Sequence, residues 1–83
     1  MAISEIQEIL IDWLKKRTGV SMHGADNFLA SGQLDSFDVV RLVGFCESQF
    51  GIELSTADLE SEKFPTIEGL AQIIESHIVT GRA

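Results

Sequence analysis

The stretch that decides the fold is residues 32–43, which read GQLDSFDVVRLV. Gly32 is suited to a turn, Asp35 is a favourable N-cap residue, and the apolar residues after Asp35 recur at helical spacing. A helix is therefore expected to begin at Ser36. The unpaired N–H groups and the positive dipole end at a helix start stabilise a phosphate. We infer that a phosphoester on the Ser36 hydroxyl would be stabilised at this position.

The helix that starts at Ser36 is expected to run to about Phe50 and to have two distinct faces. Its core-facing arc contains Val39, Leu42, Val43, Cys46 and Phe50. Its opposite side carries Phe37, Val40, Arg41, Gly44, Glu47 and Ser48. Single exposed apolar residues are common on any surface, but Phe37 and Val40 lie close to Ser36 in this helix. We therefore expect a partner-docking face made of Phe37, Asp38, Val40, Arg41 and Glu47.

A first helix is expected before this stretch. Ser4 and Gln7 have the spacing of a capping box, so the helix is predicted to begin near Ser4. Gly19 is predicted to end it, after a basic triplet that suits the negative end of a helix better than it suits nucleic acid. The apolar face of this helix is formed by Ile3, Ile6, Leu10, Trp13 and Leu14.

Residues 20–34 lose this periodicity and are predicted to form a long loop. Phe28 and Leu29 lie within the loop, and exposure of both side chains would be unfavourable. We expect them, with Asn27, to anchor the loop to the helices rather than to bind a ligand.

Two further helices are expected after Gly51, which ends the second helix. Ser55 and Asp58 predict a short helix through about Ser61, with Leu59 as its core contact. Pro65 separates this helix from the last one, which is capped by Thr66 and extends to about residue 78. The apolar face of the last helix contains Ile67, Leu70, Ala71, Ile74 and Ile78.

The composition is that of one globular domain over residues 1–83, with 45% hydrophobic and 23% charged residues. The predicted fold class is all-α: a four-helix bundle of three longer helices and one short helix, with a long loop between helices one and two. No apolar run is long enough to span a membrane. No N-terminal basic segment precedes an apolar run of the length found in signal peptides. A cytoplasmic location is expected.

The net charge of −7 makes nucleic acid a poor partner, because its phosphates would be repelled. Basic protein surfaces are the better candidates, and solubility alone is the alternative explanation of the acidity. Catalysis by serine would need a nearby base, and His23 and His77 are both distant from Ser36 in the sequence. No zinc-ligand spacing, EF-hand loop or glycine-rich nucleotide loop is present. Cys46 lies on the core arc and is expected to pack rather than to react.

Three segments carry a resemblance to a known family. Residues 34–37 (LDSF) stand at the head of an apolar helix, residues 50–52 (FGI) close it, and residues 66–71 (TIEGLA) open the last helix. In this arrangement the chain resembles the acyl and peptidyl carrier proteins from helix one to about Ile78. The most specific element is the Asp-Ser-apolar turn, which in that family carries the modified serine.

The resemblance implies that Ser36 receives a 4′-phosphopantetheine arm from coenzyme A, transferred by a phosphopantetheinyl transferase that uses Mg²⁺. Asp35 matches the aspartate of the family motif, and Phe37 matches its apolar residue. The arm would carry acyl or aminoacyl groups as thioesters, loaded by a ligase and used by downstream acyltransferases or synthases. The implied protein is a monomeric carrier and not an enzyme.

The sequence alone does not decide which biosynthetic pathway such a carrier would serve. Carriers of fatty acid biosynthesis typically present several acidic residues on helix two, whereas Arg41, Gly44 and Ser48 occupy that face in this chain. This face is more similar to aminoacyl, D-alanyl or peptidyl carriers of specialised pathways, including nonribosomal peptide or polyketide biosynthesis. From a different class, an unmodified helical adaptor could use the same face, and a small esterase could use Ser36.

Overall fold

The computed structural model describes residues 2–19, 22–24, 26–28 and 34–81. These residues form four helices, in the order α1 (Ile3–Thr18), α2 (Ser36–Phe50), α3 (Thr56–Glu60) and α4 (Ile67–Gly81). The described residues contain no strand, only an isolated antiparallel bridge between Asn27 and Thr66. The all-α bundle of three longer helices and one short helix is therefore confirmed.

The core lies where α4 packs against α1 and, over a smaller area, against α2. Each fully buried aliphatic or aromatic side chain contributes about 1.5–3 kcal/mol relative to exposure, so this cluster is the main source of stability. From the helices it contains Ile6, Leu10, Leu14, Leu42, Cys46, Ile67, Leu70, Ala71, Ile73 and Ile74. From the connecting segments it contains Met22, Phe28, Leu34 and Phe64.

The predicted faces of α1, α2 and α4 are found in the structure. In α2, Leu42 and Cys46 are fully buried, while Val39, Val43 and Phe50 are half-buried against the core. The C-caps Gly19 and Gly51 have φ of 75° and 65°, a left-handed conformation that glycine adopts without strain. These two glycines therefore end α1 and α2 as predicted.

Helix α1 begins at Ile3, one residue from the predicted start near Ser4, but the predicted capping box is wrong. Ala2 is the N-cap and makes no side-chain cap hydrogen bond, so the expected capping box of Ser4 and Gln7 does not exist. The Ala2 carbonyl instead accepts hydrogen bonds from the N–H groups of Glu5 and Ile6. Ile3 packs against the core, which favours a helix that already includes this residue.

Two expectations in the C-terminal half also need correction. Leu59 is 39% exposed and lies outside the core, whereas Phe64, only 2% exposed, is part of it. The Phe64 ring packs edge-on against Phe28, with 5.8 Å between ring centroids. Helix α4 runs to Gly81 rather than to about Ile78, since no glycine or proline lies between these two residues.

The segment between α1 and α2 is tied to the start of α4. Phe28 is fully buried, and its N–H donates to the Pro65 carbonyl oxygen at 2.9 Å. The Gly24 carbonyl accepts from the Glu68 N–H at 2.8 Å. The anchor predicted for Phe28 is thus confirmed, whereas Leu29 and the Gly32 turn lie outside the described residues.

Candidate functional site

Ser36 is the first residue of α2, and it is exposed. The helix starts here because Asp35 adopts an extended conformation and its Oδ1 accepts a hydrogen bond from the Asp38 N–H at 2.8 Å. Asp38 Oδ2 accepts from the Asp35 N–H at 3.5 Å, which completes a reciprocal capping box. The two carboxylates on either side of Ser36 therefore fix the backbone that presents its hydroxyl.

The helix start keeps N–H groups available beside this hydroxyl. Among the described residues, the N–H groups of Ser36 and Phe37 have no hydrogen-bond partner, as expected for the first two positions of a helix. The helix dipole adds a partial positive charge at the same end. An exposed hydroxyl with two unused donors beside it is a suitable place for a phosphodiester.

A salt bridge from α1 fixes the first turn of α2. Arg17 Nε lies 3.0 Å from Asp38 Oδ1, and Arg41 lies 3.8 Å from the same oxygen. The hydrogen bond from Arg17 is the main reason that the pKa of Asp38 lies below its ordinary value, against the opposing effect of partial burial. Asp38 is therefore ionised at neutral pH and held by both arginines.

The docking face predicted on α2 points outward over most of its length. Phe37 and Val40 are 75% and 69% exposed, and Arg41 is exposed as well. Glu47 is half-buried, and its Oε2 accepts a 3.0 Å hydrogen bond from the Leu54 N–H. Asp38 has both carboxylate oxygens committed to the fold and Glu47 has one, while Phe37, Val40 and Arg41 are the more open residues.

Sequence reasoning missed Arg17 as part of this site. It lies in the last turn of α1, where a basic residue is sufficiently explained by the helix dipole. Its partner Asp38 is 21 residues away in the chain, and no local pattern links the two. Only the packing of α1 beside α2 brings them together.

No metal site is found in the part of the chain that the structure describes. No group of His, Cys, Asp and Glu side chains in these residues could hold a metal ion. His77 lies 2.6 Å from Asp58, but this pair joins α4 to α3 and makes no contact with Ser36. Within the same residues, no helix is long and apolar enough to cross a membrane.

A small all-α bundle with an exposed serine at a capped helix start is the arrangement of a carrier domain. The family model described as phosphopantetheine attachment site matches residues 4–74, and the chain belongs to this family. Its prosthetic group is accordingly 4′-phosphopantetheine. A comparison with curated protein sequences gave no significant match.

Proposed function

We propose that Ser36 is the attachment residue and that the protein is a discrete carrier of acyl or aminoacyl groups. One observation carries this proposal: Ser36 is exposed at the first residue of α2, where the N–H groups of Ser36 and Phe37 have no partner among the described residues. When bound, the arm supplies a terminal thiol that holds the cargo as a thioester. Tethering of this kind raises the effective concentration of a cargo at successive enzyme sites.

The chain's own residues orient the serine rather than activate it. Asp35 and Asp38 hold the first turn of α2 through the capping box, and Arg17 ties that turn to α1. The base and the Mg²⁺ ion would come from the phosphopantetheinyl transferase, so no histidine is required near Ser36. With Asp35 Oδ1 used by the cap, its Oδ2 is the oxygen that we assign to contact with the transferase or its metal ion.

Partner enzymes would dock on the outward side of α2. Phe37 and Val40 supply apolar contact and Arg41 supplies a positive charge, with the half-buried carboxylates of Asp38 and Glu47 at the edge. The net charge of −7 favours basic partner surfaces, so docking should weaken as salt increases. The proposed partners are the transferase, a loading ligase, and downstream acyltransferases or synthases.

The proposed carrier is non-catalytic and works as a monomer in the cytoplasm. Within this proposal, an aminoacyl, D-alanyl or peptidyl cargo of a specialised pathway is the alternative to a fatty acyl cargo. The exposed Arg41 beside Phe37 and Val40 favours this alternative, because α2 does not present a continuous acidic face. A permanent adaptor with no modification is the candidate from a different class.

Thiol chemistry separates a carrier from an adaptor. Cys46 is the chain's only cysteine and is fully buried, and burial raises its pKa to about 12. The folded, untreated protein should therefore react slowly with Ellman's reagent. After incubation with coenzyme A, Mg²⁺ and a broad-specificity transferase, a carrier gains one rapidly reacting thiol, whereas an adaptor gains none. Ser36→Ala should remain as slow as the untreated protein.

A further inference from the structure

An open groove of about 530 Å³ lies between α1 and α2. Its apolar lining comes from Ile9 and Trp13 of α1 and from Phe45 of α2. The Trp13 and Phe45 rings stack with 5.3 Å between centroids and an angle of 23° between planes, and both side chains are half-buried. The helices thus meet here through two aromatic rings that still present apolar surface to solvent.

Three carboxylates and the Lys16 ammonium group line the groove beside this aromatic pair, and the Arg17 guanidinium lies 5.5 Å from the centroid of the Trp13 ring. Glu5, Glu8 and Asp12 line the groove from one side of α1, at positions one helical turn or so apart. Asp12 pairs with Lys16 at 3.0 Å, but Glu5 and Glu8 have no basic partner among the described residues. The residues that line the groove therefore combine an apolar floor with a net negative charge at its edge, which comes from Glu5 and Glu8.

The groove uses different residues from the docking face on α2. Phe37, Val40 and Arg41 do not line it, and Phe45 lies about 140° around the helix from Val40. Substitutions in the groove can therefore be tested without altering Ser36 or the outward face of α2.

We propose that this groove binds an amphipathic, basic helix of a partner protein. Lysine or arginine side chains of that helix would pair with Glu5 and Glu8, while its leucine, methionine or phenylalanine side chains would cover Trp13 and Phe45. Charge decides the choice of occupant. A second copy of this chain would bring another net charge of −7 to an already acidic edge. The proposal is independent of the modification of Ser36, because neither its residues nor its test involves the arm.

The binding site can be mapped with the unmodified protein. The probe is a synthetic amphipathic helix of lysine and leucine, added to ¹⁵N-labelled protein, with the same peptide carrying glutamate for lysine as the control. We expect saturable NMR chemical-shift changes that are largest at the Trp13 indole N–H, the Phe45 backbone amide and the Gln49 side-chain amide, all at the groove. Trp13 is the only tryptophan, so its fluorescence should follow the same curve. Chemical-shift changes that are largest at Phe37, Val40 and Arg41, or the absence of saturable binding, would overturn the proposal.

A matched pair of variants separates specific pairing from general attraction. Glu5→Gln/Glu8→Gln removes two charges at the groove, and Glu60→Gln/Glu62→Gln removes two exposed charges outside it. The groove variant should raise the Kd of the lysine–leucine peptide about fivefold, and the control variant less than about twofold. Equal weakening by the two variants would contradict the proposal. So would concentration-dependent dimerisation that the peptide reverses, since the groove's occupant would then be a second copy.

Discussion

Arg17 Nε donates a 3.0 Å hydrogen bond to Asp38 Oδ1 and so joins the last turn of α1 to the first turn of α2. The other oxygen of Asp38 closes the capping box with the Asp35 N–H. One carboxylate, two residues after Ser36, therefore holds the helix start in place from two directions. The position of Ser36 depends on tertiary packing as well as on the local cap.

The Arg17 contact can be tested through the titration of Asp38. The pKa of Asp38 lies below its ordinary value of 3.8, mainly because of the hydrogen bond from Arg17. Arg17→Gln should raise that pKa toward 3.8, as measured by carboxyl ¹³C NMR, while Lys16→Gln should not. Because folding lowers this pKa, the pair's stabilisation is complete above pH 3.8 and is lost as pH falls through the folded value. An unchanged Asp38 titration in Arg17→Gln would mean that the contact is absent in solution.

The two faces of α2 should differ in their effect on stability. Leu42 is fully buried, so Leu42→Ala should lower the free energy of unfolding by about 2–5 kcal/mol. Val40 is 69% exposed, so Val40→Ala should change the free energy of unfolding by less than about 0.5 kcal/mol. It should instead weaken the binding of partner enzymes. Urea denaturation measures both values. Equal losses would show that the helix faces are assigned incorrectly.

Two helical glycines should respond in opposite directions to alanine. A Cβ at Gly44 meets no atom, so Gly44→Ala should stabilise the protein by about 0.5–1 kcal/mol through better helix propensity. A Cβ at Gly69 would overlap the Lys63 carbonyl oxygen, in backbone that cannot easily shift. Gly69→Ala should therefore destabilise the protein by about 1–3 kcal/mol. Thermal unfolding of the two variants decides this, and a rise in Tm for Gly69→Ala would contradict the packing described.

Acid should weaken the attachment of α3 through Asp58. Hydrogen bonding from the Ser55 N–H, and then from His77, places the pKa of Asp58 below its ordinary value of 3.8. The stabilisation is therefore present above pH 3.8 and is lost as pH falls through the folded pKa. In Asp58→Asn, the urea concentration at the unfolding midpoint should therefore fall less steeply than in the wild type as the pH is lowered below 3.8.

His77→Gln is the control for this effect. It removes the 2.6 Å contact with Asp58 but leaves both hydrogen bonds from Ser55 intact. Most of the acid dependence should therefore remain in His77→Gln. If this variant flattens the profile as strongly as Asp58→Asn does, the contact with His77, and not the hydrogen bond from Ser55, is the main cause of the low Asp58 pKa.

The sequence predicted α2 closely because its signals are local. Asp35 caps its start, Gly51 ends it, and the apolar spacing between them is regular. The expectation of a buried Leu59 is wrong because α3 has only five residues, too few for a helical period to define a face. The contact of Arg17 with Asp38 and the Trp13–Phe45 stack join separate helices, so they depend on packing that no sequence pattern specifies.

The central claim is that Ser36 carries the arm, and intact-protein mass spectrometry tests it most directly. Wild-type protein and Ser48→Ala, which removes another exposed serine of α2, should each gain one phosphopantetheine on incubation with coenzyme A, Mg²⁺ and a broad-specificity transferase. Ser36→Ala should gain none while keeping the same helical circular dichroism. A full mass increase in Ser36→Ala, or no increase in the wild type, would contradict the account.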